Sequence, residues 1–391
     1  MSEWKKVRLG DISIDGGHYG IGAAAVEYDE SLPTYLRITD IREDGTIIRE
    51  SLKSVDDPDA CEYYLKPNDL VIARTGASTG RNYFYDGRDG QLVYAGFLIR
   101  FSIDERKIWP PYVKYWFQGS EYRTWLLNHT DGSTRANINA VTLGDCPIYC
   151  PTDVSTQRKI AAVLSSLDDK IENNRKICAN LEAQAQAIFK SWFVDFEPFG
   201  GKMPQGWKMG KLGDVCKIFD SRRIPLSSLQ RAEMQGDIPY YGATSIVDYV
   251  NDFLLEGIYL LMGEDGSVIT DKGYPFLQYI WGKFWPNNHA HVLQGTNGYT
   301  TEMLYCLLSQ TKVERYVTGA VQPKISQGNM IMIPACIPEG SDAKKFSGMI
   351  QPLFDELRCI TDESRALAEM RDALLPKLMS GEIDVEKVKV A

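Results

Sequence analysis

Two stretches of the chain place apolar side chains every three or four residues. In the first stretch the repeating positions are Ile160, Leu164, Leu167, Ile171, Asn174, Cys178, Leu181, Ala185, Ile188 and Trp192. In the second they are Phe346, Ile350, Leu353, Leu357, Ile360, Ser364, Leu367, Arg371, Leu374 and Leu378. A heptad pattern of this length predicts two long helices that pair through their seams. Asn174 lies in the first seam, where a buried asparagine can fix register and partner; the alternative is that it faces a widening gap at the bundle end.

The rest of the sequence contains two copies of one pattern. Residues 4–12 (WKKVRLGDI) and 207–215 (WKMGKLGDV) share their tryptophan, leucine, glycine and aspartate and one lysine. Short apolar runs separated by glycine-rich turns come next in each copy, for example at residues 70–73 and 258–262. An apolar strand closes each copy and ends in a proline, Pro151 or Pro334. A repeat of this length predicts a duplicated globular domain of the α/β (α+β) class.

Four segments result from these two patterns. Residues 1–152 form a first globular domain (the first head) and residues 153–199 a first long helix, which a Pro/Gly cluster ends. Residues 200–340 form a second globular domain (the second head), and residues 341–391 a second long helix. Two seams of equal length predict an antiparallel coiled coil with pseudo-twofold symmetry and one head at either end. The first helix, from Ser155 to Phe193, would be about 58 Å long at about 1.5 Å per residue.

Composition narrows the class of protein. The chain has 391 residues, a net charge of −9 and eight cysteines, none of them in a CxxC pair. This cysteine usage favours reduced thiols in a cytoplasm over disulfides or a zinc site. The apolar runs are too short to span a membrane, and the N-terminus is unlike a secretory signal. A negative charge also disfavours a protein that coats nucleic acid without specificity.

The helix motifs resemble those of the specificity subunit of Type I restriction–modification systems. They are residues 157–161 (QRKIA), 167–171 (LDDKI) and 188–196 (IFKSWFVDF), together with the domain openings at Trp4 and Trp207. The resemblance covers essentially the whole chain. The second helix departs from the first, because it has residues 378–381 (LMSG) in place of the WFVDF tail. Because the two helix ends differ in sequence, the resemblance leaves open whether two partner subunits dock on them in the same way.

The resemblance implies a non-catalytic DNA-recognition subunit in a prokaryotic cytoplasm. Each head would be a target-recognition domain that reads one half of a bipartite, asymmetric site in double-stranded DNA. The helices would set the spacer and dock two modification (adenine methyltransferase) subunits, which restriction and translocase subunits then join. S-adenosylmethionine, ATP and Mg would be bound by those partners, with no cofactor in this chain. We predict that Trp192 and Phe193 contribute to docking, because the two-helix seam leaves them uncovered.

Motifs that suggest catalysis are incomplete. Trp109 precedes a Pro-Pro-Tyr sequence like that of adenine methyltransferases, but its side chain cannot accept the hydrogen bond that this chemistry needs. His289 and His291 offer two metal ligands with no third at a recognisable spacing, so no metal site is predicted. The glycines around Gly20 lack the frame of a phosphate loop. The competing hypotheses are a self-contained adenine methyltransferase or nuclease, and a purely structural coiled-coil protein.

Polar loops between the apolar runs supply the candidate DNA contacts. Such loops can present hydrogen-bonding side chains to a DNA groove. The alternative for each is an ordinary solvated loop or a turn of the shared fold. Neither head is basic overall, so any basic surface is a local stripe, and DNA binding by the chain alone should be modest. The candidates are Arg74, Thr75, Ser78, Thr79, Arg81, Asn82, Thr134, Arg135 and Asn137 in the first head, and Arg222, Arg223, Asn288, Gln322 and Lys324 in the second.

Overall fold

A computed structural model of the chain describes residues 3–130, 136–319 and 322–388. The chain divides into two compact units. The first unit consists of Met1–Glu172 and Ser364–Ala391, and the second of Asn173–Glu363. The predicted segments treat each long helix as separate from the heads, whereas each helix contributes residues to both units.

The first head is built on a four-stranded antiparallel sheet. Its strands lie in the order Ser13–Tyr19, Leu98–Ile103, Asp69–Ala73 and Asn82–Tyr85. A second sheet has the order Ala25–Val26, Lys53–Val55, Thr34–Leu36 and Leu92–Tyr94, and Trp4–Arg8 pairs with Pro147–Pro151. Its α-helices are Leu9–Ile12, Pro110–Trp116, Ser120–His129 and Ala140–Gly144. The strand Asp69–Ala73 is buried throughout, as its unbroken apolar run from Leu70 requires.

The second head repeats this plan. Its main sheet has the order Cys216–Ile218, Ala290–Gly295, Tyr259–Gly263 and Leu277–Ile280. The other sheet has the order Ile246–Val250, Gln235–Tyr241, Lys283–Pro286 and Leu255–Glu256, and Lys208–Lys211 pairs with Pro334–Ile337. Its α-helices are Leu212–Val215, Ser228–Glu233, Thr301–Ser309 and Gln327–Met330. The main sheet has the same strand order in both heads, which confirms the predicted duplication of a mixed α/β domain, whereas the strand order of the other sheet differs.

The long helices are Val154–Phe193 and Gly340–Met379, each 40 residues long. The first begins one residue before its predicted start, because Asp153 accepts hydrogen bonds from the backbone N–H groups of Ser155 (3.1 Å) and Thr156 (2.9 Å). This is the usual chemistry of a helix N-cap. The first helix ends before the left-handed backbone at Phe196, which has a φ of 54°.

Within each unit the helix segments run antiparallel. In the second unit Asn174 Nδ2 donates to Glu363 Oε2 (2.7 Å), and Phe189 packs on Phe346 with ring centroids 5.8 Å apart. Asn174 is fully buried there, so it does not face a widening gap. In the first unit the Arg371 guanidinium lies 3.1 Å from Asp168 Oδ1. The seam position Arg371 is thus filled by an ion pair and not by apolar packing.

Each head shares its core with the helix segments of its own unit. In the first unit Ile160, Leu164 and Leu378 join the core residues Leu70 and Phe101 of the first head. In the second unit Phe189, Phe193, Phe346, Ile350 and Phe354 join the core of the second head. Part of the core of each head is therefore shared with the helix ends, which belong to the same folding unit, while smaller clusters such as that of Leu36 and Val71 lie within the head alone.

Candidate nucleic-acid interface

In the first head, the candidate loop follows the buried strand Asp69–Ala73. Arg74 opens the loop, and its guanidinium carbon lies 4.9 Å from the ring centroid of Tyr19. Tyr19 is itself partly exposed, and its hydroxyl accepts a hydrogen bond from Ala140 N (3.3 Å). A guanidinium over an aromatic ring is held in a defined position by cation–π attraction. The geometry therefore presents a fixed cation beside an aromatic ring at the surface of the head.

Other candidate side chains in this loop form hydrogen bonds within the protein. Thr79 Oγ1 donates to the carbonyls of Gly76 (2.7 Å) and Ala136 (2.9 Å), which ties the loop to the segment that begins at residue 136. Arg81 reaches the carbonyl of Ile41 (3.3 Å) and lies 3.5 Å from Glu43. Thr75 is half-buried and forms a backbone bridge with Asn137, which is exposed. Thr134 and Arg135 lie outside the described residues.

Two candidates of the first head are wrong, because they face its interior. Ser78 and Asn82 are both buried. Asn82 Nδ2 donates to the carbonyl of Phe117 (2.9 Å), so this amide satisfies the end of the helix Pro110–Trp116. A side chain that is buried inside the head cannot reach a base edge in a DNA groove.

In the second head, Arg223 is also wrong as a DNA contact. Its guanidinium lies among protein acceptors, 2.5 Å from Glu264 Oε2 and 2.8 Å from the carbonyl of Ala290. Its neighbour Arg222 is exposed. Lys324 is about half-exposed, and its Nζ lies 3.2 Å from Glu264 Oε1.

Two further candidates line one groove of the second head. Asn288 and Gln322 are exposed at the edge of a groove of about 420 Å³ that also contains Asp265 and His289. His289 Nδ1 is in hydrogen-bond contact with Asp265 Oδ1. Polar groups that converge on a groove are the arrangement that base recognition needs.

Behind this groove lies a buried charged cluster. His291 is fully buried, with Nδ1 2.6 Å from Asp220 Oδ2 and Nε2 2.8 Å from the carbonyl of Ile325. Burial raises the pKa of Asp220. The hydrogen bond with His291 and the electrostatic effect of His291 and Arg223 lower this pKa by more, so it lies below its usual range. The carboxylate is therefore charged at neutral pH.

This cluster contains ligands that sequence spacing could not find. Asp220, Glu264 and His291 bring their donor atoms within 4.8 Å of one another, as a metal site requires. His289, the other histidine of that sequence pair, is not among them. Arg223 and Lys324 both contact Glu264, so two cations already balance the two carboxylates. The described residues therefore form an ion-pair network, in which a divalent cation would be repelled by Arg223.

The methyltransferase-like motif belongs to the core of the first head. Pro110 begins the helix Pro110–Trp116, where a proline at the first position lacks only an N–H that the helix does not use. Tyr112 is fully buried and donates to the carbonyl of Tyr149 (2.8 Å). Trp109 lies against the Arg158 guanidinium, 4.3 Å from ring centroid to guanidinium carbon. These contacts account for the motif as packing.

The sequence matches one protein family in both of its copies. The model of the Type I restriction modification DNA specificity domain matches residues 1–183 and 204–360. The Type I restriction enzyme MjaIX specificity subunit of Methanocaldococcus jannaschii is 29% identical over 84% of this chain and 81% of that protein. The Type I restriction enzyme HindI specificity subunit of Haemophilus influenzae is 22% identical over 98% of this chain and 100% of that protein.

The fold agrees with a solved relative. The crystal structure of a Type I restriction–modification S subunit from M. genitalium superposes with a TM-score of 0.57, covers 96% of each chain and shares 17% identity. Over the residues that the structure describes, none of the helices combines the length and apolarity that a membrane crossing needs. Because the family matches both heads and most of the chain, the chain belongs to the Type I restriction–modification DNA specificity subunits.

Proposed function

We propose that this chain is the DNA-recognition subunit of a Type I restriction–modification complex, with each head reading one half of a bipartite, asymmetric site in double-stranded DNA. The observation that carries the proposal is the duplication. The four-stranded antiparallel sheet has the same strand order in both heads, and the family matches each of them. Their loop side chains nevertheless differ, with Arg74 in the first head and Glu264 at the same strand end in the second. Two copies of one fold with different loop side chains suit a site with two different halves.

The long helices complete the proposal. Each has 40 residues, which corresponds to about 60 Å of helix, and they set the spacer between the half-sites. They also dock two modification (adenine methyltransferase) subunits, and restriction and translocase subunits join that core. In this proposal the partners bind S-adenosylmethionine, ATP and Mg, and this chain contributes recognition without catalysis in the cytoplasm of a prokaryote.

Exchange of one head tests whether each head recognises one half of a bipartite DNA site. We expect that replacing residues 1–152 by the matching head of a related specificity subunit changes one half of the methylated site and leaves the other half and the spacer unchanged. Each head keeps its own sheets, so the other reading surface is not disturbed. Sequencing of methylated adenines in cells that carry the complex gives the site directly. A matched exchange of residues 207–337 should change the opposite half; a change of both halves by either exchange would contradict the proposal.

The purified chain should bind DNA weakly and transfer no methyl group. A protein of charge −9 neutralises few phosphates, and phosphate neutralisation dominates non-specific affinity. We expect a gel shift with a DNA carrying the methylated site only when the modification subunits are present, with methyl transfer from S-adenosylmethionine under the same condition. Methyl transfer by the chain alone would favour the self-contained enzyme. Failure of the modification subunits to strengthen DNA binding would favour the purely structural hypothesis.

A further inference from the structure

The loop after the central strand of the first head is held by three backbone hydrogen bonds. Arg74 N donates to the carbonyl of Phe97 (3.0 Å), and Ile138 N donates to the carbonyl of Arg74 (2.9 Å). Gly76 N donates to the carbonyl of Ala136 (3.1 Å), and Gly76 adopts a φ of 73°. The loop is thus fixed between the residue that precedes the strand Leu98–Ile103 and the segment 136–138.

The second head makes the same three bonds. Glu264 N donates to the carbonyl of His289 (2.8 Å), and Ile325 N donates to the carbonyl of Glu264 (2.8 Å). Gly266 N donates to the carbonyl of Pro323 (3.0 Å), and its φ is 78°. Residues 74–76, 97 and 136–138 therefore correspond one by one to residues 264–266, 289 and 323–325. We call this arrangement the loop frame of each head.

The side chains on the two frames differ in chemistry although the backbones agree. Phe97 and His289 occupy the same position, and their exposed fractions are 59% and about one half. Phe97 is apolar and is joined through its backbone to Arg74, the residue that stacks on Tyr19. His289 offers a ring nitrogen instead. One rigid frame that carries different exposed groups is what two readers of different sequences need.

We propose that Phe97 and His289 are equivalent specificity-determining residues, each of which reads one base pair in the half-site of its own head. This inference rests on the proposed function. It adds two residues that are not among the DNA contacts predicted from the sequence. The frame gives each of them a fixed backbone position, so its side chain meets the DNA at one place.

The chemistry of each residue fixes the kind of contact that it makes with a base. Phe97 has no hydrogen-bonding group, so in the major groove it recognises the methyl group of thymine. His289 Nδ1 contacts the carboxylate of Asp265, which can only accept, so this nitrogen carries the proton. The other ring nitrogen, Nε2, is left for a hydrogen bond with a polar atom of a base edge in the major groove.

Alanine variants in the assembled complex test the assignment. We expect Phe97→Ala to relax one position of the half-site read by the first head, and His289→Ala one position of the other half-site. Methylation of sites with a substituted base at that position should rise roughly tenfold or more relative to the wild type, as loss of one base contact predicts. Tyr28→Ala and His129→Ala are matched controls, because both side chains are exposed and lie outside the loop frames. They should leave the methylated site unchanged.

The outcomes separate this inference from the proposed function. If the wild type methylates a bipartite site and the two alanine variants methylate the same site with the same fidelity, the assignment of Phe97 and His289 is wrong and the proposed function stands. If the wild type shows no bipartite site, the proposed function itself fails. Phe97→Leu and His289→Gln guard against a loss of folding. A relaxed or altered site in these milder variants supports the inference, and loss of all methylation in them as well overturns it in favour of a structural role.

Discussion

Replacing Phe193 with alanine is expected to lower the free energy of unfolding of the second unit by about 3–5 kcal/mol, the usual cost of emptying a buried phenylalanine site. Phe193 is only 5% exposed. Its ring centroid lies 4.8 Å from that of Phe346, 4.6 Å from that of Phe189 and 5.1 Å from that of Trp207. The ring therefore joins both helix segments of this unit to the second head. Truncation leaves a cavity bounded by three other aromatic rings.

This result would correct the docking role predicted for Phe193 from the sequence. Trp192 also packs within the second unit, against Phe199 (5.3 Å) and Phe346 (5.7 Å). The measurement is thermal or denaturant unfolding of the full chain, followed by a signal from the second unit such as amide exchange, since two units need not unfold together. Val194→Ala is the control, because Val194 is the next residue and is exposed, so its change should stay within about 0.5 kcal/mol. An unchanged unfolding midpoint for Phe193→Ala together with weaker binding of the modification subunits would restore the docking role.

The periodic part of the fold could be predicted from the sequence, and the environment of single residues could not. Heptad spacing located the first long helix to within one residue, because helix periodicity is a local property. It predicted an uncovered end at Phe193 because it contains no information about Trp207 or Phe346, which reach this side chain from distant parts of the chain. Tertiary contacts of this kind decide burial.

The same limit applies to the candidate interface. Asn82 and Arg223 have the right chemistry for DNA, but their partners, Phe117 and Glu264, are 35 and 41 residues away. Phe97 is not among the candidates from the sequence, because those candidates have hydrogen-bonding side chains. An alignment of the two copies by the strands that begin at Leu98 and Ala290 would have placed Phe97 opposite His289. The signal was in the repeat and not in either copy alone.

The antiparallel pairing of the long helices decides how the spacer between the half-sites can be changed. Four residues inserted after Glu172 and four after Glu363 are expected to lengthen the spacer by about two base pairs, with both half-sites unchanged. Each insertion adds about 6 Å of helix and turns the rest of that helix by about 40° beyond a full turn. Two base pairs of B-DNA rise by a similar distance, about 6.8 Å. Both insertions lie at the unit boundaries, so the contacts within each unit are preserved.

Insertion into one helix alone is the matched control. Asp168 pairs with Arg371 in the first unit and Asn174 with Glu363 in the second, so an insertion after Glu172 falls between these two pairs on one helix only. If four residues are added after Glu172 and none after Glu363, the two helices have different lengths between the same pairs. One helix must then form a bulge, or these pairs must break. We therefore expect the single insertion to lower methylation sharply and the matched pair to retain it. Two-residue insertions in both helices rotate the rest of each helix by about 200° and should abolish activity. If the matched four-residue pair leaves the spacer as it was while methylation continues, the partner subunits and not the helices set the distance between the half-sites.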